Sequence, residues 1–112
     1  MTTEATLAHH LQAISESIDA VMDDYTEESV LFTQGGPIVG LAGIRAFFER
    51  FIGDAPPALI AALTVVQQDV QGEVAYLIWK AEPFVVLATD TFVVRGGKIV
   101  TQTFVMLAPP PA

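Results

Sequence analysis

Hydrophobic residues in the first half of the chain recur at helical spacing. One set is separated by four, three, four and three residues: Leu7, Leu11, Ile14, Ile18 and Val21. A second set has similar spacing: Leu41, Ile44, Phe48 and Phe51. Spacings of three and four residues place side chains on one face of a helix. Two amphipathic helices are therefore predicted, and Gly53, Pro56 and Pro57 end the second one.

From residue 59 onward the pattern becomes typical of strands. Four strand-like segments follow one another: 59–71, 73–82, 84–95 and 98–107. Gly72, Pro83 and Gly96–Gly97 separate them, and a shorter strand is predicted at 29–34. Helices followed by strands indicate an α+β fold, with N-terminal helices packed on a curved antiparallel sheet that forms a cone. We expect one domain over 1–112, with a loose tail at 107–112 and a pocket at the open end of the cone.

Composition narrows the function classes. The chain is 52% hydrophobic and 16% charged, so it can fill a core and leave apolar surface for a cavity or a partner subunit. Its formal net charge is -8 and its five basic residues are scattered, whereas nucleic acids and anionic membranes attract clustered bases. Neither is an expected partner. The N-terminal segment does not resemble a secretory signal, and no apolar stretch approaches the ~20 residues of a membrane helix, so a cytoplasmic protein is expected.

Cofactor motifs are missing from the sequence. The chain contains no cysteine, which excludes thiolate nucleophiles and cysteine-ligated metals. His9 and His10 are adjacent and lack the spacing of a zinc-binding helix. Gly35–Gly36 is not followed by the lysine and hydroxyl residue of a phosphate-binding loop. We therefore expect no metal and no cofactor.

Asp90 interrupts an otherwise apolar strand. Alternation places it on one face with Phe84, Val86, Ala88, Phe92 and Val94. A carboxyl on that bulky face is costly unless it is hydrogen-bonded or protonated. Three environments stay open: a buried acid satisfied by a neighbour, an acid that contacts a ligand, and an exposed acid. Gln102 is predicted to lie close to Asp90 across the Gly96–Gly97 turn, where its amide can pair with the acid or with a ligand carbonyl.

Two pairs of residues leave open which member faces the pocket. His9 and His10 lie about 100° apart on a helix, so only one can point inward as an acid, a base or a hydrogen-bond donor. The alternative is a surface or capping role. Tyr76 and Trp79 lie on opposite faces of one strand, so one can line the cavity while the other lies on the outer sheet face.

Three segments carry a resemblance to a known family: "DDYTEESVLFTQGGPIVGLAGIRAFFERF", "VAYLIWKAE" and "TDTFVVRGGKIVTQTF". They resemble the nuclear transport factor 2-like (NTF2-like) superfamily, in its SnoaL-like and ketosteroid-isomerase-like branch, over about residues 5 to 107. The resemblance implies a cystatin-like cone and, through its outer sheet face, a homodimer. The fold hosts isomerases, cyclases, dehydratases and non-catalytic modules, so it does not specify one activity.

The resemblance also implies roles for single residues. Asp90 matches the family's carboxylic acid, which an apolar site keeps neutral so that it donates a hydrogen bond to a developing oxyanion. The general base belongs at the end of the first strand, where this chain has Thr33 or Gln34 and no carboxylate. An ungapped alignment places His9 at the position of the family's oxyanion-binding tyrosine. Asp90 and His9 are thus the candidate catalytic residues.

Two function classes follow from these residues. The first is a non-catalytic pocket that binds a small, hydrophobic, carbonyl-containing molecule. The second is an enzyme of the isomerase, cyclase or dehydratase type that acts on a polyketide- or steroid-like compound. The candidate ligand-binding residues are Asp90, Gln102, Tyr76, Phe92, Phe104 and Thr33. The missing base at Thr33 and Gln34 favours the first class, whereas a histidine that faces Asp90 inside a closed pocket favours the second.

Overall fold

The computed structural model describes residues 1–110, which form helices first and a sheet afterwards. The helices of this part of the chain are α1 (Thr3–Ile14), α2 (Ile18–Met22), α3 (Gly40–Gly53) and α4 (Pro57–Ala62). The strands are β1 (Val30–Thr33), β2 (Gly36–Val39), β3 (Thr64–Gln71), β4 (Val74–Ala81), β5 (Val85–Arg95) and β6 (Lys98–Leu107). The hydroxyl of Thr2 caps α1 by accepting a hydrogen bond from the backbone N–H of Ala5.

The segment 59–71, predicted as one strand, divides into the end of α4 and the strand β3. Pro57 is the first residue of α4. A backbone N–H at this position would have no partner within the helix, so the lack of one in proline costs nothing. The run of apolar residues that follows is too short for its periodicity to distinguish a helical turn from a strand.

The six strands form one curved sheet in the order β2-β1-β6-β5-β4-β3. The strands β3 to β6 form an antiparallel meander, as predicted, and β1 pairs with β2 in the same way. The pair β1 and β6 is parallel, so the sheet, predicted as antiparallel, is mixed at this one pair. A long connection that includes α3 and the β3–β5 meander separates β1 from β6, which allows the parallel pairing. The α+β class is confirmed, and the sheet does not close on itself.

A β-bulge in β5 changes which residues face the helices. Two residues of β5, Val86 and Leu87, oppose the single residue Lys80 of β4 between the paired positions on either side. Val86 and Leu87 are exposed, whereas Val85, Ala88 and the alternate residues from Asp90 to Val94 are buried. The predicted grouping of Val86 with Asp90 is therefore wrong, because alternation was counted across the bulge.

The core lies between the sheet and the helices α1 and α3. Leu7, Ile44 and Phe48 are buried, as the helical spacing predicts, and they pack with residues of the inner sheet face. Val21 is also buried but lies on α2, because the first predicted helix is interrupted at residues 15–17. The two helices thus cover the concave side of the sheet and leave a cavity between them.

The chain beyond β6 has no regular structure at residues 108–110, which are exposed. Leu107 still pairs with Leu87 in the sheet, so the tail expected at 107–112 begins one residue later. Residues 111 and 112 of that tail lie outside the described residues. Within 1–110, no helix is long and apolar enough to cross a membrane.

Candidate functional site

An aromatic cavity lies between the helices and the inner face of the sheet. Its aromatic wall consists of Phe47, Phe48, Phe51, Trp79, Phe92 and Phe104. Its polar lining residues are His10, Asp90 and Gln102. The volume open to the centres of water molecules is about 30 Å³, enough for about two waters. A larger ligand can enter only when side chains of the wall move.

Asp90 is buried in this wall and accepts hydrogen bonds at both carboxyl oxygens. The indole Nε1 of Trp79 donates to Oδ2 over 2.8 Å, and the amide Nε2 of Gln102 donates to Oδ1 over 3.0 Å. Strand register explains these contacts, since Asp90 pairs directly with Leu77 and Phe104, which places Trp79 and Gln102 at the diagonal positions. The predicted closeness of Gln102 to Asp90 is confirmed.

Tyr25 completes a directed chain of hydrogen bonds. It is buried after α2, and its hydroxyl donates to Oε1 of Gln102. This contact turns the amide of Gln102, so that its NH₂ group points to Asp90. Sequence reasoning missed Tyr25. The available signal was a single aromatic residue inside the acidic segment 23–28, where nothing else explains a large apolar side chain.

Burial changes the pKa of the two groups at the ends of this series of hydrogen bonds, Asp90 and Tyr25. Desolvation raises the pKa of Asp90, although the hydrogen bonds from Trp79 and Gln102 and the proximity of His10 oppose the increase. Desolvation also raises the pKa of Tyr25 well above its ordinary value, and the nearby carboxylates of Asp90 and Asp24 add to this effect. Tyr25 therefore remains a hydrogen-bond donor at neutral pH, and Asp90 keeps its proton to a higher pH than an exposed aspartate.

His10, and not His9, lines the cavity. The His10 ring is buried, with edge-on contacts to Tyr25, Phe48 and Phe92 at centroid distances of 5.9, 6.0 and 5.4 Å. The side chain of His9 is 38% exposed, its Nδ1 lies 2.7 Å from Oδ1 of Asp24, and it does not line the cavity. The placement of His9 in the pocket is thus corrected by one residue, which is a rotation of about 100° around the helix.

Two other predicted residues lie outside the cavity. Tyr76 is on the outer sheet face, and Trp79 takes the inward position on the same strand. The hydroxyl of Thr33 donates to the carbonyl of Gly36 in the β1–β2 turn, and Oε1 of Gln34 accepts from the backbone N–H of Met106. Phe92 and Phe104 do line the cavity. Their part in ligand binding, like that of Asp90 and Gln102, stays a prediction.

The helix α3 supplies three wall residues, of which Phe48 and Phe51 were predicted only as part of a helix face and Phe47 was not singled out. Phe51 packs edge-on against Trp79 and Phe104, whose rings are stacked with centroids 6.3 Å apart. The aromatic repeat of this helix is the signal that could have placed it over the site. Across residues 1–110, no three His, Cys, Asp or Glu side chains gather in a way that could hold a metal ion.

We expect Asp90→Asn to be at least as stable as the parent at about pH 7.5. The amide of Gln102 can rotate, so that the introduced asparagine donates to Gln102, Gln102 donates to Tyr25, and Trp79 still donates to the asparagine oxygen. In the parent, the native state holds the Asp90 proton more tightly than the unfolded chain does. The stability of the parent therefore falls as pH rises from about 3.9 up through the folded pKa, whereas an asparagine side chain carries no such loss.

Thermal melts of both proteins from roughly pH 4 to 8 check this expectation. The melting temperature of Asp90→Asn minus that of the parent should increase with pH. Glu28→Gln, at an exposed acid, is the matched control and should show no such trend. A variant that is clearly less stable at about pH 7.5 would mean that Asp90 is an ionised structural residue.

The comparisons with known proteins agree with this fold. The profile of the SnoaL-like domain family matches residues 7–102, and no curated protein matches the chain. An NTF2-like protein of unknown function from Burkholderia xenovorans LB400 has a TM-score of 0.76 and 21% identity, over 98% of this chain and 86% of that one.

Two further solved structures carry provisional activity names. A provisionally named polyketide cyclase from Sinorhizobium meliloti has a TM-score of 0.73 and 17% identity, over 89% of this chain and 93% of that one. A provisionally named ketosteroid isomerase from Kribbella flavida DSM 17836 has a TM-score of 0.68 and 16% identity, over 98% of this chain and 83% of that one. At these identities the likeness shows the fold. With the profile match over most of its length, the chain belongs to the SnoaL-like domain family.

Proposed function

We propose that the cavity binds a small, hydrophobic molecule that carries a carbonyl group, with Asp90 as the polar anchor. The observation that carries this proposal is that both hydrogen-bond partners of Asp90 are donors. The indole N–H of Trp79 cannot accept, and the oxygen of Gln102 is occupied by Tyr25. In this arrangement the O–H of a protonated Asp90 finds an acceptor among these partners only if the amide of Gln102 turns over, whereas a ligand carbonyl in the cavity supplies one without that rearrangement.

The rest of the lining supports an apolar ligand. Six aromatic side chains surround one carboxyl, and flat rings stack well on such walls. Phe47 and Phe51 are half-buried on the side of α3, so their rotation is the simplest way to enlarge the narrow cavity. The provisional names of two structural neighbours, a polyketide cyclase and a ketosteroid isomerase, support a carbonyl-bearing ring compound as the ligand class.

We expect acetophenone to bind more tightly than ethylbenzene, which has a similar shape but no carbonyl oxygen. One hydrogen bond from the neutral acid corresponds to a ratio of roughly 3- to 10-fold in affinity. The ratio should decrease as pH rises through the pKa of Asp90, because the ionised carboxylate cannot donate. The two affinities can be measured at several pH values by calorimetric titration, or by following the fluorescence of the single tryptophan.

Two variants isolate the titrating group. In Asp90→Asn the ratio should be independent of pH, since the amide does not ionise. In His10→Gln, which removes the other ionisable residue among the polar lining residues, the pH dependence should persist. Equal affinity of the two compounds at every pH would refute Asp90 as the anchor.

The second function class, an acid–base enzyme, is favoured by the position of His10. This histidine lines the same cavity as Asp90, so the cavity holds a proton acceptor and a proton donor together. His10 thus stands in for the base that is missing at Thr33 and Gln34. The reaction supported by this pair is abstraction of a proton from the carbon next to a carbonyl, with Asp90 donating to the developing oxyanion.

Exchange of the methyl protons of acetophenone for deuterium in D₂O, followed by proton NMR, tests this activity. The parent should accelerate exchange over buffer, and His10→Gln should lower the rate by roughly 10²- to 10⁴-fold, the range for loss of a general base. Gln12→Ala, on the solvent side of α1, is the control and should keep the rate. Exchange that survives in His10→Gln would assign the base to another residue.

We also propose that the outer sheet face forms a homodimer. The register aligns uncharged residues across the outer face of strands β1, β6, β5 and β4, and one such row contains Phe32, Thr103, Thr91 and Tyr76. Phe32, Tyr76 and Val105 are exposed large hydrophobic residues of this face. Apart from Lys98 at the start of β6, neither β5 nor β6 carries a lysine that would oppose pairing with another surface. An apolar patch of this kind suits a self-complementary two-fold contact.

Sedimentation equilibrium near micromolar concentration should therefore give the mass of two chains. Val105→Glu places a charge on the outer face and should shift the protein to a monomer, because an unpaired charge is costly to bury. Ala8→Glu, with the same charge on the exposed side of α1, should leave the dimer intact. A monomeric parent would contradict the proposal.

A further inference from the structure

Asp24 is a buried carboxyl that lies between the two adjacent histidines of α1. Its side chain is only 4% exposed. Oδ1 lies 2.7 Å from Nδ1 of His9, and Oδ2 lies 3.5 Å from Nδ1 of His10. One oxygen of this carboxylate thus faces a half-exposed histidine, and the other faces a buried histidine that lines the cavity. The cavity site described above does not use Asp24.

The backbone holds Asp24 in this position. Its carbonyl accepts a hydrogen bond of 2.7 Å from the N–H of Ile99 at the start of β6, and its N–H donates to the carbonyl of Val21. Lys98 donates to the carbonyl of the preceding residue, Asp23. The side chain of Asp24 is therefore directed at α1 by contacts that do not depend on the histidines.

Two buried polar atoms face each other without a hydrogen bond: Oδ2 of Asp24 and Nδ1 of His10. Buried polar atoms of this kind are rare, because each loses its hydrogen bonds to water and gains none in return. At 3.5 Å the pair is a few tenths of an ångström beyond a normal bond, and catalytic hydrogen bonds are often long before a ligand binds. A carboxylate can only accept, so the pairing requires the proton of neutral His10 to be on Nδ1.

We propose that Asp24 is a positioning residue that holds His10 in the Nδ1–H tautomer, with the lone pair of Nε2 directed away from Asp24, into the cavity. The ring has little freedom to turn, since Tyr25, Phe48 and Phe92 contact it edge-on. His9 occupies Oδ1 and so leaves Oδ2 for His10. The charged groups near this carboxylate also include Lys98, Asp23 and the N-terminus of Met1, which line the surface cleft beside it.

This inference deepens the acid–base activity proposed above and depends on it only for its chemical consequence. Nε2 takes the proton from the carbon next to the ligand carbonyl. The electrons of the broken C–H bond form a C=C bond, the π electrons of the carbonyl move to its oxygen, and that oxygen takes the proton of Asp90. In D₂O the proton on Nε2 exchanges with solvent. The reverse step then delivers a deuteron from Nε2 to carbon, and the oxygen returns its proton to Asp90. Asp24 touches neither ligand nor reacting atom, and it stabilises the His10 imidazolium while the proton is on Nε2.

The tautomer itself is measurable by long-range ¹H–¹⁵N correlation NMR of the imidazoles of the full chain, in the alkaline range in which both are neutral. The chain has two histidines, so His9→Gln assigns the signals. The parent should show a protonated Nδ1 and an unprotonated Nε2 for His10. In Asp24→Asn, an amide N–H that faces Nδ1 should reverse this to the Nε2–H form. An Nε2–H tautomer in the parent, or an unchanged tautomer in a folded Asp24→Asn, would overturn the proposal.

Kinetics separate this proposal from the activity on which its consequence rests. Asp24→Asn should lower the rate of deuterium exchange at saturating acetophenone by at least roughly tenfold, with little change in acetophenone affinity, because the wrong nitrogen then carries the proton. Reversal of the tautomer with an unchanged exchange rate would overturn the role of Asp24. Absence of exchange in the parent would refute the enzyme activity, and the parent tautomer would then decide the positioning proposal alone.

Discussion

The carboxyl of Asp90 is the group on which the organisation of the cavity depends. It lies among aromatic rings, where a polar atom without a partner costs about 1–3 kcal/mol, so its neighbours must supply donors to both oxygens. Trp79 and Gln102 do so from the two adjacent strands. Because the amide of Gln102 is in turn directed by Tyr25, three separate parts of the chain must be in place before the acid is satisfied. Such a network favours one arrangement of the sheet and the segment that follows α2.

The same series of hydrogen-bond donors determines what a proton on Asp90 can bind to. Every hydrogen bond in it points toward Asp90, so a proton added to the acid requires either that the amide of Gln102 turns over or that a group in the cavity accepts the proton. Burial makes that protonated form more accessible by raising the pKa of Asp90. Burial of this carboxyl therefore costs stability once it ionises, and the same burial favours the protonated form that the proposed ligand contact requires.

Helix α1 carries the second polar centre of the cavity. In the related isomerases the general base is expected at the end of β1, but here Thr33 closes the β1–β2 turn and Gln34 contacts the backbone of β6. His10 comes from the opposite wall and meets the same cavity. The curved sheet and its helices thus each present polar side chains to one enclosed space, and the proposed roles of His10 and Asp90 depend on that arrangement.

Local patterns were sufficient to predict much of this protein from its sequence. The spacing of Leu7, Ile44 and Phe48 marked the buried helix faces, and the turn at Gly96–Gly97 set a register that brings Gln102 to Asp90. These are relations between neighbours in the chain, so periodicity and turn geometry capture them. The order of elements, helices before strands, was sufficient for the α+β class.

The tertiary structure decided the rest. The bulge at Val86–Leu87 depends on how β4 and β5 fit together, and the parallel β1–β6 pair depends on a connection of more than half the chain. Which histidine faces inward depends on the rotation of α1 about its axis, which packing against Phe48 and Phe92 sets. Tyr25 and Gln102 are 77 residues apart, and no local pattern links them. The sequence alone determined which polar residues stand in apolar segments of the chain. Only the folded chain determined which of them form hydrogen bonds with each other, because a hydrogen bond requires atoms to lie within about 3 Å of each other.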